Sequence, residues 1–255
     1  MASRTDASSS WPWWRWVLQA SLAAALLATA FLWTTPQRVA AWQPPWLRRG
    51  PTPPPVAFPA TPPPWVRMGP APIGIVSGHW GSQDPGAVCP DGTTEAQVNH
   101  TIALLVQERL RRLGYDAVVL DEFDPRLQGF RGQALVSIHA DSCLPRREDL
   151  TGFKVAIAAA LSQTGTSAQL IAANTLKSCL VEAYQRVTGL AFHPHTVTRD
   201  MTEYHAFTEI DPNTPAVIIE VGFLGQDYDL LVNQPERVAE GIVQGLLCFL
   251  EGSEP

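Results

Sequence analysis

The 255-residue chain has no Cys-x-x-Cys pair, no basic stripe in its C-terminal part and no internal repeat. The first absence excludes a structural zinc knuckle built on paired thiolates. The second, with a net charge of -6, removes nucleic acid from the expected partners. The third points to a single folded unit rather than a repeat array.

Charge is missing altogether from Trp16 to Gln37. The apolar core of that stretch, Val17–Leu32, reaches about 20 residues with its flanking tryptophans, enough for a helix to cross a bilayer core of about 30 Å. Trp11, Trp13, Trp14 and Trp16 precede it and Trp33 follows, as in an aromatic belt. A buried soluble helix fits poorly, because the stretch has no polar face. An uncleaved membrane anchor is the favoured reading. A signal peptide processed near Val39-Ala40-Ala41 is the alternative. Arg38, Arg48 and Arg49 beyond the span outnumber Arg4 and Arg15 before it, so a bare positive-inside count would leave the following domain in the cytoplasm. A basic start ahead of a folded domain instead reads as an export signal, and we expect a membrane-held, extracytoplasmic domain, or a secreted one after cleavage.

Proline is as unevenly spread. Thirteen of the 23 prolines lie between Pro36 and Pro72, including Pro44-Pro45, Pro53–Pro55 and Pro62–Pro64. Such a segment lacks the backbone donors for sheet or helix. It reads as an extended spacer, at about 3.1 Å per residue able to reach roughly 100 Å. The expected divisions are residues 1–35 (cytoplasmic stub and anchor or signal), 36–72 (linker) and 73–255 (a folded domain large enough for one core).

Cysteine is scarce: Cys89, Cys143, Cys179 and Cys248. An exported domain permits disulfides, and four cysteines allow three full pairings. Cys89 and Cys143 each follow a candidate ligand histidine, so their loops are expected to be neighbours and a Cys89–Cys143 bridge to form. Cys179 and Cys248 sit in helical, apolar contexts and read as buried thiols.

The C-terminal part alternates between two periodicities. Strand-like runs occupy Ile73–Ser77, Tyr115–Leu120, Ala134–His139, Gly152–Ala158 and Ala216–Val221. Helical spacing fills Ala96–Leu113, through Val98, Ile102, Leu105, Val106, Leu110 and Leu113, with Thr94 and Gln97 suited to a capping box and Gly114 to a stop. Ser167–Val187 and Pro235–Leu250 are further helices. Residues 190–214 form the one long irregular stretch. This alternation predicts an α/β domain: a mostly parallel central sheet with helices on both faces.

In such sheets, ligands bind beyond the carboxyl ends of the strands. His79, His139 and Glu220 each fall at or near such an end, and Glu95 opens the helix after Thr94. Two imidazoles and a carboxylate from separate elements can hold Zn²⁺ with a coordination position open. A further carboxylate beside them suits a general base. Glu220, inside an otherwise apolar strand, is costly to bury unpaired. Burial raises its proton affinity and a nearby cation lowers it.

The motifs around these residues are Gly78-His79-Trp80-Gly81, Asp84-Pro85-Gly86-Ala87, Thr94-Glu95 with Asn99, Ser137-Ile138-His139-Ala140, and Pro215-Ala216-Val217-Ile218-Ile219-Glu220-Val221-Gly222-Phe223. Together they resemble those of the zinc-dependent N-acetylmuramoyl-L-alanine amidases. The match is in order over residues 73–250. The resemblance implies zinc held by His79, Glu95 and His139, with Glu220 as the catalytic carboxylate. It implies a peptidoglycan substrate cut at the amide between N-acetylmuramic acid and L-alanine. Ser77 stands where the family often has Asp, Trp80 where it usually has Gly, and the segment before Ser137 is shortened, with neither Arg126 nor Arg131 mapping onto the family's arginine. Asn99, His205 and Gly222 are the expected substrate contacts. A zinc hydrolase of another amide or peptide, and an inactive wall-binding domain, are the alternatives. A monomer is expected.

Overall fold

Ile73–Ser77 is buried at every position and forms strand β1. In this computed structural model, residues 70–144 and 150–252 are described; the expected anchor and nearly all of the linker lie outside them. Among the described residues no helix is long and apolar enough to cross a membrane.

After β1 come helix α1 (Glu95–Arg112), β2 (Ala117–Asp121), β3 (Ala134–Asp141), β4 (Lys154–Ala156) and α2 (Ser167–Thr188). The short helices α3 (Arg199–Thr202) and α4 (Ala206–Glu209), strand β5 (Ala216–Phe223), α5 (Tyr228–Asn233) and α6 (Pro235–Glu251) complete the domain. Thr94 and Gln97 form the reciprocal capping box at the start of α1. The strand order is β2-β1-β3-β5-β4. The β2-β1-β3-β5 ladders are parallel, and β4 joins β5 antiparallel at one edge. The expected strand over Gly152–Ala158 is therefore only three residues long.

Successive strand residues face opposite sides, and the two sides are covered unequally. Ile73, Ile75, Val136, Ile138, Val217 and Ile219 share a core with Val98, Ile102 and Val106 of α1, Leu176 and Leu180 of α2, and Ile242 and Leu246 of α6. Val76, Leu135 and Ile218 instead meet Leu127, Met201, Tyr204 and Ile210. Helices lie on both faces, but unequally: three long ones on one face and short helical turns from residues 194–209 on the other. The irregular stretch is thus a thin second layer, docked through its few large apolar side chains.

One pairing departs from expectation. Cys179 and Cys248 are not free thiols but form a disulfide between α2 and α6, with Cα atoms 5.6 Å apart. Both sit on the buried seam where these helices pack, so the apolar context that suggested thiols also brings the two sulfurs together. Cys89 and Cys143 form the second disulfide, at 5.2 Å.

Candidate metal centre

His139 and Glu220 occupy alternate, non-apolar positions of β3 and β5, and both point to the thinly covered face. The ladder register sets them directly opposite each other. His79 follows the end of β1 after Gly78, and Glu95 is the first residue of α1. Four elements thus deliver four side chains to the carboxyl edge of the sheet.

Glu95 is the hub. Its Oε1 lies 3.3 Å from His79 Nε2 and 3.2 Å from His139 Nδ1. The same oxygen accepts from Asn99 Nδ2 at 3.3 Å and from the Ala140 N–H at 3.2 Å, while Oε2 accepts from the Ala87 N–H at 3.0 Å. Burial opposes ionisation of this carboxyl, but hydrogen bonds and attraction from His139 and His79 outweigh it and hold Glu95 well below the usual carboxylate range. His79 is pushed up to about 9, first by its hydrogen bond to Glu95, against a smaller opposing effect of burial. In His139 burial favours the neutral ring, yet Glu95, Glu220 and Glu122 together raise its proton affinity.

One donor atom from each of His79, Glu95 and His139 lies within 4.8 Å of the others, a spacing that could hold a metal ion. Close backbone approach makes this possible. A Cβ on Gly78 would sit 2.6 Å from His139 Nε2, and one on Gly86 would sit 2.5 Å from Glu95 Oε2. His79 adopts a left-handed backbone, φ 62°, which an L-residue rarely enters. Glu220 has no hydrogen-bond partner for its buried Oε2. Burial pushes its carboxyl up to about 7, with attraction from His139 only partly offsetting this.

A sequence model described as N-acetylmuramoyl-L-alanine amidase matches residues 73–248, more than half of the chain. The chain belongs to that family.

No curated protein matches the chain by sequence. Solved amidases match its fold. The amidase Ami1 from Mycobacterium smegmatis superposes with a TM-score of 0.55 at 18% identity, over 72% of this chain and 98% of that one. The amidase AmiC2 of Nostoc punctiforme gives 0.52 at 22%, over 72% and 98%. The CwlD amidase from Clostridioides difficile, solved in complex with the GerS lipoprotein, gives 0.52 at 20%, over 72% and 100%. At these identities the likeness is one of fold.

Within this amidase domain two of the three expected substrate contacts, Asn99 and Gly222, are packed against protein, and the third, His205, stands beside the centre. Asn99 is fully buried and donates to the Gly78 carbonyl at 3.2 Å and to Glu95, so it supports the hub rather than facing substrate. A Cβ on Gly222 would meet Asp227 and Leu231, so the space it leaves is filled by protein. His205 is half-buried, with Nε2 and Nδ1 each 2.9 Å from a carboxylate oxygen, of Glu122 and Glu209 respectively. His100 of α1 is partly covered by the Trp80 ring stacked on it, with centroids 3.8 Å apart.

Two groups at the centre escaped the sequence reading. Glu122, just past β2, is buried beside both histidines. Lys154 of β4 lies opposite Glu220 in register and is ion-paired with Asp141. The only sequence signal for either was a charged residue at or beside a strand otherwise apolar.

Proposed function

We propose that the domain hydrolyses the amide between N-acetylmuramic acid and L-alanine in peptidoglycan with a zinc ion held by His79, Glu95 and His139, and with Glu220 as the general base. The observation that carries this reading is the convergence of those three donors within 4.8 Å, beside a carboxyl group whose buried Oε2 has no partner. The donor set fits zinc, which takes imidazole nitrogen and carboxylate oxygen and, in hydrolytic sites, keeps a position free.

Bound zinc would polarise the scissile carbonyl and lower the proton affinity of water. Glu220 takes the proton of the attacking water and passes it to the departing nitrogen of L-alanine. Its carboxyl near pH 7 suits both halves of that exchange, accepting a proton and then giving it up. Asn99, Ala87 and Ala140 hold the Glu95 carboxylate in place.

The purified protein, given a defined muropeptide, is expected to release a peptide beginning at L-alanine and a free muramyl lactyl carboxylate, identified by mass, and to stop on chelation. Cleavage at another bond would favour a hydrolase of a different amide. A protein that holds zinc but cleaves nothing would favour a wall-binding role. An extracytoplasmic domain, tethered by the 17–32 stretch through the proline-rich segment, is supported by the two disulfides, which persist in oxidising compartments. Protease shaving of intact cells tests it: the domain should be lost from them.

A further inference from the structure

The two histidines of the metal centre share one more partner besides Glu95. Glu122 is buried, and its Oε2 accepts the backbone N–H of His79 at 2.8 Å. That bond clamps the residue whose φ of 62° an L-side chain disfavours. The same oxygen lies 3.5 Å from Nε2 of His139. This nitrogen is buried and has no hydrogen-bond partner. With Nδ1 of His139 turned to Glu95, the ring can offer that nitrogen's lone pair to a metal only when its proton sits on Nε2. A proton there needs an acceptor, and Glu122 is the carboxylate beside it. At 3.5 Å the two atoms are just beyond ordinary hydrogen-bond reach.

Glu122 is itself braced. Its Oε1 lies 2.9 Å from His205 Nε2, whose other ring nitrogen lies 2.9 Å from Glu209. Its N–H donates to the Trp80 carbonyl at 3.0 Å. The docked segment after α2 therefore reaches the metal centre through this carboxylate, as well as through Tyr204, whose ring meets that of His139 edge-on with centroids 5.5 Å apart.

We propose that Glu122 is a positioning residue for zinc: it fixes the tautomer and ring orientation of His139 and the backbone of His79, with His205 and Glu209 holding it in place. The proposal rests on the reading of His79, Glu95 and His139 as metal ligands. Partners of this kind typically change metal affinity by about 10–100-fold when removed.

The test uses the purified whole protein stripped of metal and titrated with zinc against a chromophoric chelator, and in parallel the visible spectrum of its cobalt(II) form. Glu122→Ala is expected to weaken zinc binding by about 10–100-fold and to shift the cobalt bands. Glu122→Gln, which keeps an acceptor but no charge, should do so by less, and His205→Gln should follow in the same direction. A purely structural role would lower the melting temperature of the metal-free protein without altering the cobalt spectrum. A folded Glu122→Ala protein with wild-type zinc affinity and cobalt bands overturns the proposal; if that variant does not fold, the same result in Glu122→Gln does. Loss of zinc binding in His139→Ala, alongside a wild-type response in the Glu122 variants, leaves the metal centre standing and removes only Glu122's part. A wild-type protein that binds no zinc removes both.

Discussion

Glu220 and His139 face each other across the β3–β5 ladder, one carboxyl oxygen, Oε2, buried without a hydrogen-bond partner and the imidazole drawn toward Glu95. Burial pushes Glu220 up to about 7, from an ordinary value of 4.5. Between those two values the unfolded chain is ionised while the folded one keeps its proton. Stability of the metal-free protein therefore falls as pH rises through that window, and the full penalty, about 3 kcal/mol as an upper figure, is present above pH 7. Glu220→Gln removes it. The variant is expected to melt higher than wild type at pH 8 and no higher at pH 4. Its turnover of muropeptide should drop by about 10²–10⁴ while zinc content stays unchanged. A variant that is active, or that melts lower at pH 8, would refute the assigned role of this carboxyl.

Metal binding should be strongly pH-dependent. In the metal-free protein His79 is pushed up to about 9 by its hydrogen bond to Glu95, so at pH 7 its ring is charged. That proton must leave before Nε2 can donate to a metal. Zinc affinity should rise by up to about tenfold per pH unit for this proton, flattening above pH 9. His139, also raised, steepens the dependence. Calorimetric titration in buffers of different ionisation heat should register at least one proton released per ion at pH 7. A pH-independent affinity between 6 and 8 would contradict the His79–Glu95 pairing.

Much of this centre was legible in the chain. Glu220 and His139 stood out because a polar residue in a fully apolar strand has to be explained, and Thr94-Glu95 announced a helix start through its capping box. Their meeting followed from parallel strands ending at one edge. Glu122 was not legible, because its partner His205 lies 83 positions away and its role depends on which way the segment after α2 folds. For the same reason Asn99 looked like a cleft residue: spacing places it one turn after Glu95 but does not say that Gly78 closes over it. The Cys179–Cys248 bridge was hidden because a cysteine on an apolar helix face looks the same whether or not a second one packs opposite.

Two glycines separate close approach from simple backbone freedom. A Cβ on Gly78 would collide with the His139 ring at 2.5 to 2.7 Å. At Gly92, where φ is 89°, it would meet nothing. Gly78→Ala should destabilise the fold by about 1–3 kcal/mol through overpacking and also weaken zinc binding, because the displaced ring is a ligand. Gly92→Ala should cost only about 1–2 kcal/mol for its left-handed backbone and leave zinc affinity unchanged. Chelator competition on both variants checks the contrast. Equal zinc affinities would mean that the His139 ring is not held against Gly78.

The two disulfides should differ in the same way. Each closes a long stretch of chain, 54 residues for Cys89–Cys143 and 69 for Cys179–Cys248, so removal of either is expected to cost about 2–4 kcal/mol, chiefly by freeing the unfolded chain. Cys179–Cys248 ties α2 to α6 on the face of the sheet away from His139 and Glu220. Its double alanine variant should melt lower, yet bind zinc and turn over muropeptide normally while folded. Cys89–Cys143 joins the loop that carries Ala87 to the residues just after Ala140, and both of those N–H groups hold the Glu95 carboxylate. Its double alanine variant should therefore lose zinc affinity as well as stability. Comparing zinc dissociation constants well below both melting transitions isolates the effect, because the fraction unfolded is then negligible. Equal constants in the two variants would show that the donors to Glu95 are held by the strands and α1 alone, with no help from the disulfide between their loops.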